Sequence, residues 1–277
     1  MKKTSNSGKI GNSSVLKTEE LKYKHFNDVS GFITGGIKRE TDQIESIYGI
    51  EDGTIEEIYQ GVNENNVRSI YMVIEHAILV RHSKTGELLS LLCLLSKKFE
   101  YSGTENGYLN ALLDYQGIKK NNGKQDSKEV IDIYPAGSVG RAIIEDSIDD
   151  FIRLTSDPSF DAKKRIKTKK SSKYEDPITV VSGDGDVSHM QLMALFGSKK
   201  CFKHAVSAGG YDMDGVAKYA IAGGDIDIIH ILEQNGVSFD SCFETAVKFH
   251  RDGICTATYS SYNKMVVFLF IFMNHQL

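Results

Sequence analysis

From Asn66 to His82 apolar residues return at every third or fourth place: Val67, Ile70, Tyr71, Ile74, Ala77 and Ile78. That spacing lays one stripe along a helix and does not fit a half-exposed strand, whose apolar positions alternate. The next segment, Glu87 to Phe99, carries Leu88, Leu89, Leu91, Leu92, Leu94 and Leu95, which wrap nearly the whole circumference. A helix of that kind is buried between neighbours. Shorter helices are predicted over Thr41–Tyr48, Thr54–Gln60 and Tyr108–Tyr115. Only Pro135, Pro158 and Pro177 interrupt the chain, so little breaks the helical hydrogen-bond ladder. The pattern predicts an all-α protein, with an N-terminal helical domain over 19–118 and a helix-pair array over 130–260. Residues 1–18 read as a disordered polar tail, and Gly117–Lys128, rich in Asn, Gly and Lys, reads as a loop or boundary.

The second half of the chain repeats. Windows opening at Met190, Val216 and Cys242 align Ala194, Ala220 and Ala246 at intervals of 26 residues. In the same register Phe202, Ile228 and Ile254 align, and so do Ser198, Gly224 and His250. An upstream segment matches the middle window position for position, with Ala142 on Ala220, Ile148 on Ile226, Phe151 on Ile229 and Leu154 on Leu232. It lies 78 residues upstream, three times 26, and a basic insert over 161–176 occupies the intervening slot. A small residue four places before a glycine lets one helix pack closely on its neighbour. The glycine then makes the turn, and the aliphatic run forms the second helix. Asn235-Gly236 is a helix stop, since glycine accepts the left-handed conformation that closes a helix. One hairpin cannot bury its own apolar face, so the pairs must stack.

These residues resemble ankyrin repeats, in particular the ankyrin-like proteins expanded in parasitic protists of the trichomonad type. Met190–Arg251 resembles a domain of unknown function found in those proteins, which precedes or replaces regular ankyrin repeats. Residues 41–101 are similar in pattern to the helical region that the family carries before its repeats. The resemblance implies a short ankyrin-like solenoid of helix pairs that binds other proteins, with no catalytic residues to carry over. Three departures stand out. The interval of 26 is shorter than the roughly 33 of ankyrin, so the β-hairpin fingers should be reduced or missing. The Thr-Pro-Leu-His opening is absent, and after Cys255 the repeat decays without a polar capping helix.

Composition narrows the function classes. With 277 residues, 40% hydrophobic and 25% charged, the chain can bury a core and does not read as fibrous or disordered. A formal net charge of −4 gives no global attraction to nucleic acid or anionic membrane. Cys93, Cys201, Cys242 and Cys255 form no C-x-x-C pair, so they read as reduced thiols in a cytoplasmic setting, and no signal peptide is expected at the N-terminus. Gly117–Gln125 has five residues between its glycines where a phosphate loop has four, and Gln125 where that loop needs Ser or Thr. Asp184 would open a calcium loop whose twelfth position, normally Glu, is Leu195. The Gly183–Asp186 stretch is therefore a turn, with Asp186 or Ser188 capping the next helix. His204 and His230, 26 apart, read as repeat positions and not as ligands. No catalytic constellation, metal site, cofactor or small-molecule substrate is expected.

What remains is a protein–protein interaction scaffold. Its candidate partner-binding residues, at turns and on the first helix of the most regular window, are Tyr211, Asp212, Lys218, Ser238 and Asp240. The rival is a nuclear or nucleic-acid-binding regulator acting through 163–173, where seven of eleven residues are Lys or Arg. The run has no interleaved aromatics for base stacking, and like charges in a row favour a solvated, self-repelling insert. The apolar tail over 261–277 contains an uncharged run from Met265 to Met273, too short for a transmembrane helix and suited to self-association.

Overall fold

The computed structural model describes residues 42–118, 127–167, 176–183 and 186–251. Outside them lie 1–41, 119–126, 168–175 with Lys169, Lys170 and Lys173, 184–185 with Asp184, and 252–277 with Ile254, Cys255 and the apolar run. The chain divides into two compact units, Met1–Ser46 and Ile47–Leu277. Of the first, 42–46 are described and are helical.

The second unit opens with α1 (Ile55–Gln60), α2 (Val67–Val80), α3 (Thr85–Lys98), α4 (Gly107–Tyr115) and the short α5 (Ser127–Ile131). The stripe read on α2 is the buried face: Ile70, Tyr71, Ile74, Ala77 and Ile78 are all in the core. On α3, Leu88, Leu89, Leu91, Leu92 and Leu95 are buried, because α1 and α2 both pack against it. Ser127 and Lys128, which composition places in a loop, instead begin α5. The Ser127 hydroxyl donates to the Asp114 carboxylate at 2.5 Å and ties that helix to α4.

Helix hairpins follow: α6 (Val139–Ile144) with α7 (Ile148–Thr155), a single turn α8 (Thr179–Ser182), α9 (His189–Phe196) with α10 (Lys199–Ala208), α11 (Val216–Gly223) with α12 (Ile226–Gln234), and α13 (Phe243–Lys248). The protein is all-α. Among the described residues there is no strand, only an isolated antiparallel bridge between Ile166 and Val187. The first helices pack in the order α6, α9, α11, α13, and the second in the order α7, α10, α12. The first hairpin therefore sits directly on α9 and α10, with no helix pair in the intervening slot among the described residues.

Hydrogen bonding fixes the register of these hairpins and corrects the alignment by composition. Each first helix ends at a residue with positive φ: Asp146 (47°), Gly197 (67°), Gly224 (75°) and His250 (48°). The following amide reaches back to close the turn: Ser147 N to Ala142 O, Ser198 N to Met193 O, and Arg251 N to Ala246 O. In the third hairpin Gly224 N itself bonds Ala220 O at 2.8 Å. Four places before the left-handed residue therefore stand Ala142, Met193, Ala220 and Ala246. Ala142, Ala220 and Ala246 match as expected, but Met193, not Ala194, fills the Ala220 position. The first window is one residue shorter before its turn, so Phe202 corresponds to Ile229, and His204 corresponds to Ile231 and not to His230. A methionine keeps the slip invisible in sequence, because both Met193 and Ala194 are fully buried.

Polar ties join one hairpin to the next. The Asp146 carboxylate accepts from Lys200 N and Cys201 N, each at 3.0 Å, and so caps the N-terminus of α10. Ser198 donates to Ile143 O at 2.6 Å. Lys199 pairs with Asp225 and Asp227 at the start of α12. The Arg251 guanidinium donates to Ala222 O and Gly223 O at the C-terminal end of α11, where a cation is favoured. The hairpins also meet the preceding helices. Arg81 donates to His250 O, the His82 ring stacks on Phe196, and Tyr48 stacks on His250. Helical residues before and after 118–130 thus belong to one unit, and the division of the chain falls at Ser46–Ile47.

Candidate functional site

The loops that lead into α9 and α11 lie side by side and are joined. Ser188 caps α9 and shares a capping box with Gln191, whose side chain accepts from Ser188 N at 2.9 Å. This settles the choice between Asp186 and Ser188 as the cap. Gln191 Nε2 then donates to Asp214 O at 2.7 Å, and the Ser188 hydroxyl to Asp212 O at 3.4 Å, which link this loop to 209–215. On the other side, Arg165 donates to Asp186 O at 2.6 Å and Ile166 N bonds Val187 O at 2.7 Å. Part of the basic insert is therefore held against the hairpins by backbone pairing. The insert is not kept disordered over 161–167, because Arg165 and Ile166 anchor it, although Lys163, Lys164 and Lys167 stay exposed.

That anchoring forms a cleft of about 470 Å³, lined by Ser159, Phe160, Asp161, Lys164, Arg165, Ile166, Lys167 and His189. The aromatics that the insert itself lacks come from elsewhere in the fold. Phe160 meets His189 edge-on with centroids 5.1 Å apart, and Tyr211 lies 6.3 Å from Phe160 and 6.0 Å from His189. Burial pushes the His189 imidazole below its ordinary pKa against an opposing hydrogen bond to the Ala162 backbone, so the ring is neutral at neutral pH. Its Nδ1 is buried and has no hydrogen-bond partner among the described residues. Burial also raises the Tyr211 phenol, with a hydrogen bond from Thr155 opposing.

The five candidate residues fall into two groups. Tyr211 and Asp212 stand on the 209–215 loop, Tyr211 in the aromatic cluster and Asp212 bonding Asp214 N at 2.9 Å. Ser238 and Asp240 share a hydrogen bond of 2.8 Å on the exposed loop before α13. Lys218, half-buried on α11, places its ammonium 5.1 Å from the centre of the Tyr219 ring. Lys218 and Asp240 both act electrostatically on Cys242, whose thiol burial has pushed up. Sequence reasoning missed Phe160, His189 and Gln191. The Ser188-x-x-Gln191 spacing is a readable capping-box signal, whereas nothing in the sequence pairs Phe160 with His189.

Among the described residues no group of three or more His, Cys, Asp or Glu is placed to hold a metal ion. Cys201 is buried and its thiol is pushed up to about 12, first by burial and then by Asp146, which leaves it a poor nucleophile at neutral pH. No described helix is long and apolar enough to cross a membrane. Comparison with family models, curated proteins and solved structures finds no match to this chain.

Proposed function

We propose that the chain is a protein-binding scaffold of the ankyrin-like, helix-pair kind, working in the cytoplasm. The observation that supports this reading is the division of labour within each hairpin. The turns and facing helix sides are spent on backbone bonds and core packing, while the loops before the first helices carry side chains that the core does not need. Tyr211, Asp212, Lys218, Ser238 and Asp240 belong to those loops and to the first helix behind them. Specificity in such an array comes from side chains that vary over a constant frame.

Proximity labelling, followed by capture with the purified chain, tests the reading. A genuine partner is lost when Tyr211, Asp212, Lys218, Ser238 and Asp240 are replaced together, and the far-ultraviolet circular dichroism melt stays within a few degrees of wild type. Partners retained by that variant would refute the assigned surface. The second reading, a nuclear or nucleic-acid-binding regulator acting through 163–173, draws on the basic cleft with its aromatic wall. If it holds, oligonucleotide affinity falls steeply with salt as counterions are released.

A further inference from the structure

We infer that the cleft between the 159–167 loop and α9 binds a short acidic peptide segment with an apolar or aromatic side chain, contributed by the protein partner. This rests on the scaffold reading and names the chemistry its partner must present. Lys164 and Lys167 line the cleft, are exposed, and have no ion-pair or hydrogen-bond partner for their ammonium groups among the described residues. Arg165 is different: its guanidinium is committed to Asp186 O and holds the wall in place. The cleft thus offers two available cations on a fixed frame, and binding an anion there need not order a new loop.

The remaining lining selects among anions. Phe160 and Ile166 present apolar surface beside the lysines, which suits a carboxylate flanked by a hydrophobic side chain. His189 is held by the Ala162 backbone and packs its ring edge-on to Phe160, so it stiffens the apolar wall of the cleft. Acidic residues also stand on the neighbouring segments: Asp157 and Asp161 on the same loop, Asp186 on the next, and Asp212 and Asp214 on the loop beyond. A long polyanion such as nucleic acid would run from the two lysines into these negative charges. A short acidic segment meets Asp161, which lines the cleft, but need not extend to the others, and steering of this sort sets specificity more than raw affinity.

A random-peptide library on phage, panned against the full chain, tests the inference, with selected peptides then measured by fluorescence anisotropy. The expected winners carry two or more Asp or Glu beside an aromatic or aliphatic residue. Their affinity falls roughly tenfold or more in Lys164→Ala/Lys167→Ala, and weakens with added salt. That double variant removes side chains without a described partner, so its melt should match wild type and show that it folds. Phe160→Ala should weaken binding severalfold. Winners without acidic residues, acidic winners that bind the double variant equally well, or no enrichment would each overturn the cleft assignment. Non-acidic winners lost in Lys218→Glu/Asp240→Lys would keep the scaffold reading and overturn this one. Tight binding of a mixed-sequence oligonucleotide that vanishes in the lysine variant would overturn both.

Discussion

Gly223→Ala probes the seam between two hairpins. Gly223 is the last residue of α11, and a methyl group added there would lie 2.2 Å from Ala194 O and 2.8 Å from Leu195 O. An ordinary carbon–oxygen contact is roughly 3.3 Å, so the methyl intrudes by about 1 Å on each helix's closest approach. Its neighbours are backbone atoms of α9, which cannot swing aside as a side chain does. α11 must therefore back away from α9 in a core where Met193, Ala194 and Ala220 are fully buried. Overpacking of this kind costs about 1–3 kcal/mol, and a backbone clash belongs at the upper end. Alanine returns up to about 1 kcal/mol of helix propensity, which leaves a net loss of about 2 kcal/mol. For a unit of this size that corresponds to a melting temperature lower by about 4–8 °C. Gly86→Ala on α3 is the control, since nothing lies within 4 Å of its added methyl, and it should stabilise by up to about 1 kcal/mol. Thermal melts followed by far-ultraviolet circular dichroism compare the two. A Gly223→Ala protein that melts at or above wild type would refute the close approach of α9 and α11.

Ala220→Arg should cost roughly 3–5 kcal/mol, because it drives a charge into a fully buried site sized for a methyl group. Lys218→Ala should cost no more than about 1 kcal/mol, chiefly its contact with Tyr219, and equal urea midpoints for the two would show the hairpin register to be misplaced. Asp146→Ala removes the cap on α10 and puts alanine at a positive φ, a loss of about 1–3 kcal/mol, whereas Asp146→Asn keeps the conformation and should lose less. Matching denaturation curves for the two Asp146 variants would contradict this account. Burial holds the His82 imidazole down to about 4, against 6.5 in the unfolded chain. The unfolded state then binds more protons between these values, so stability is complete above pH 6.5 and falls by up to about 3 kcal/mol as pH drops toward 4. His82→Gln should flatten that part of the pH profile, and an unchanged slope between wild type and variant counts against a buried neutral ring.

The helices were legible because their apolar periods are strong. The stripe on α2 and the leucine-wrapped α3 follow from spacing alone, as does the stop at Asn235-Gly236, where Gly236 has φ 76°. The hairpin turn at Gly224 was legible for the same reason. At Gly197 the turn comes one residue early, and composition misread the register because Met193 and Ala194 are both acceptable in the core. At Asp146 and His250 the left-handed turn residue is not glycine, so no local signal marks it. Both positions are explained by what surrounds them: Asp146 caps the next hairpin, and His250 stacks on Tyr48 with centroids 3.8 Å apart.

The candidate surface divides along the same line. Sequence alone determined that the protein is all-α, that its second half recurs as helix pairs, and that Tyr211, Asp212, Ser238 and Asp240 fall in the loops before first helices. Each of these is a property of residues within a few places of one another. Only the tertiary structure decided that Arg165 and Ile166 are anchored against Asp186 and Val187, and that Phe160 and His189 wall the cleft beside them. Those outcomes depend on contacts between residues far apart in the chain, such as Arg165 with Asp186 and Phe160 with His189. Periodicity reports which face of an element is apolar, but it carries no information about which other element covers that face.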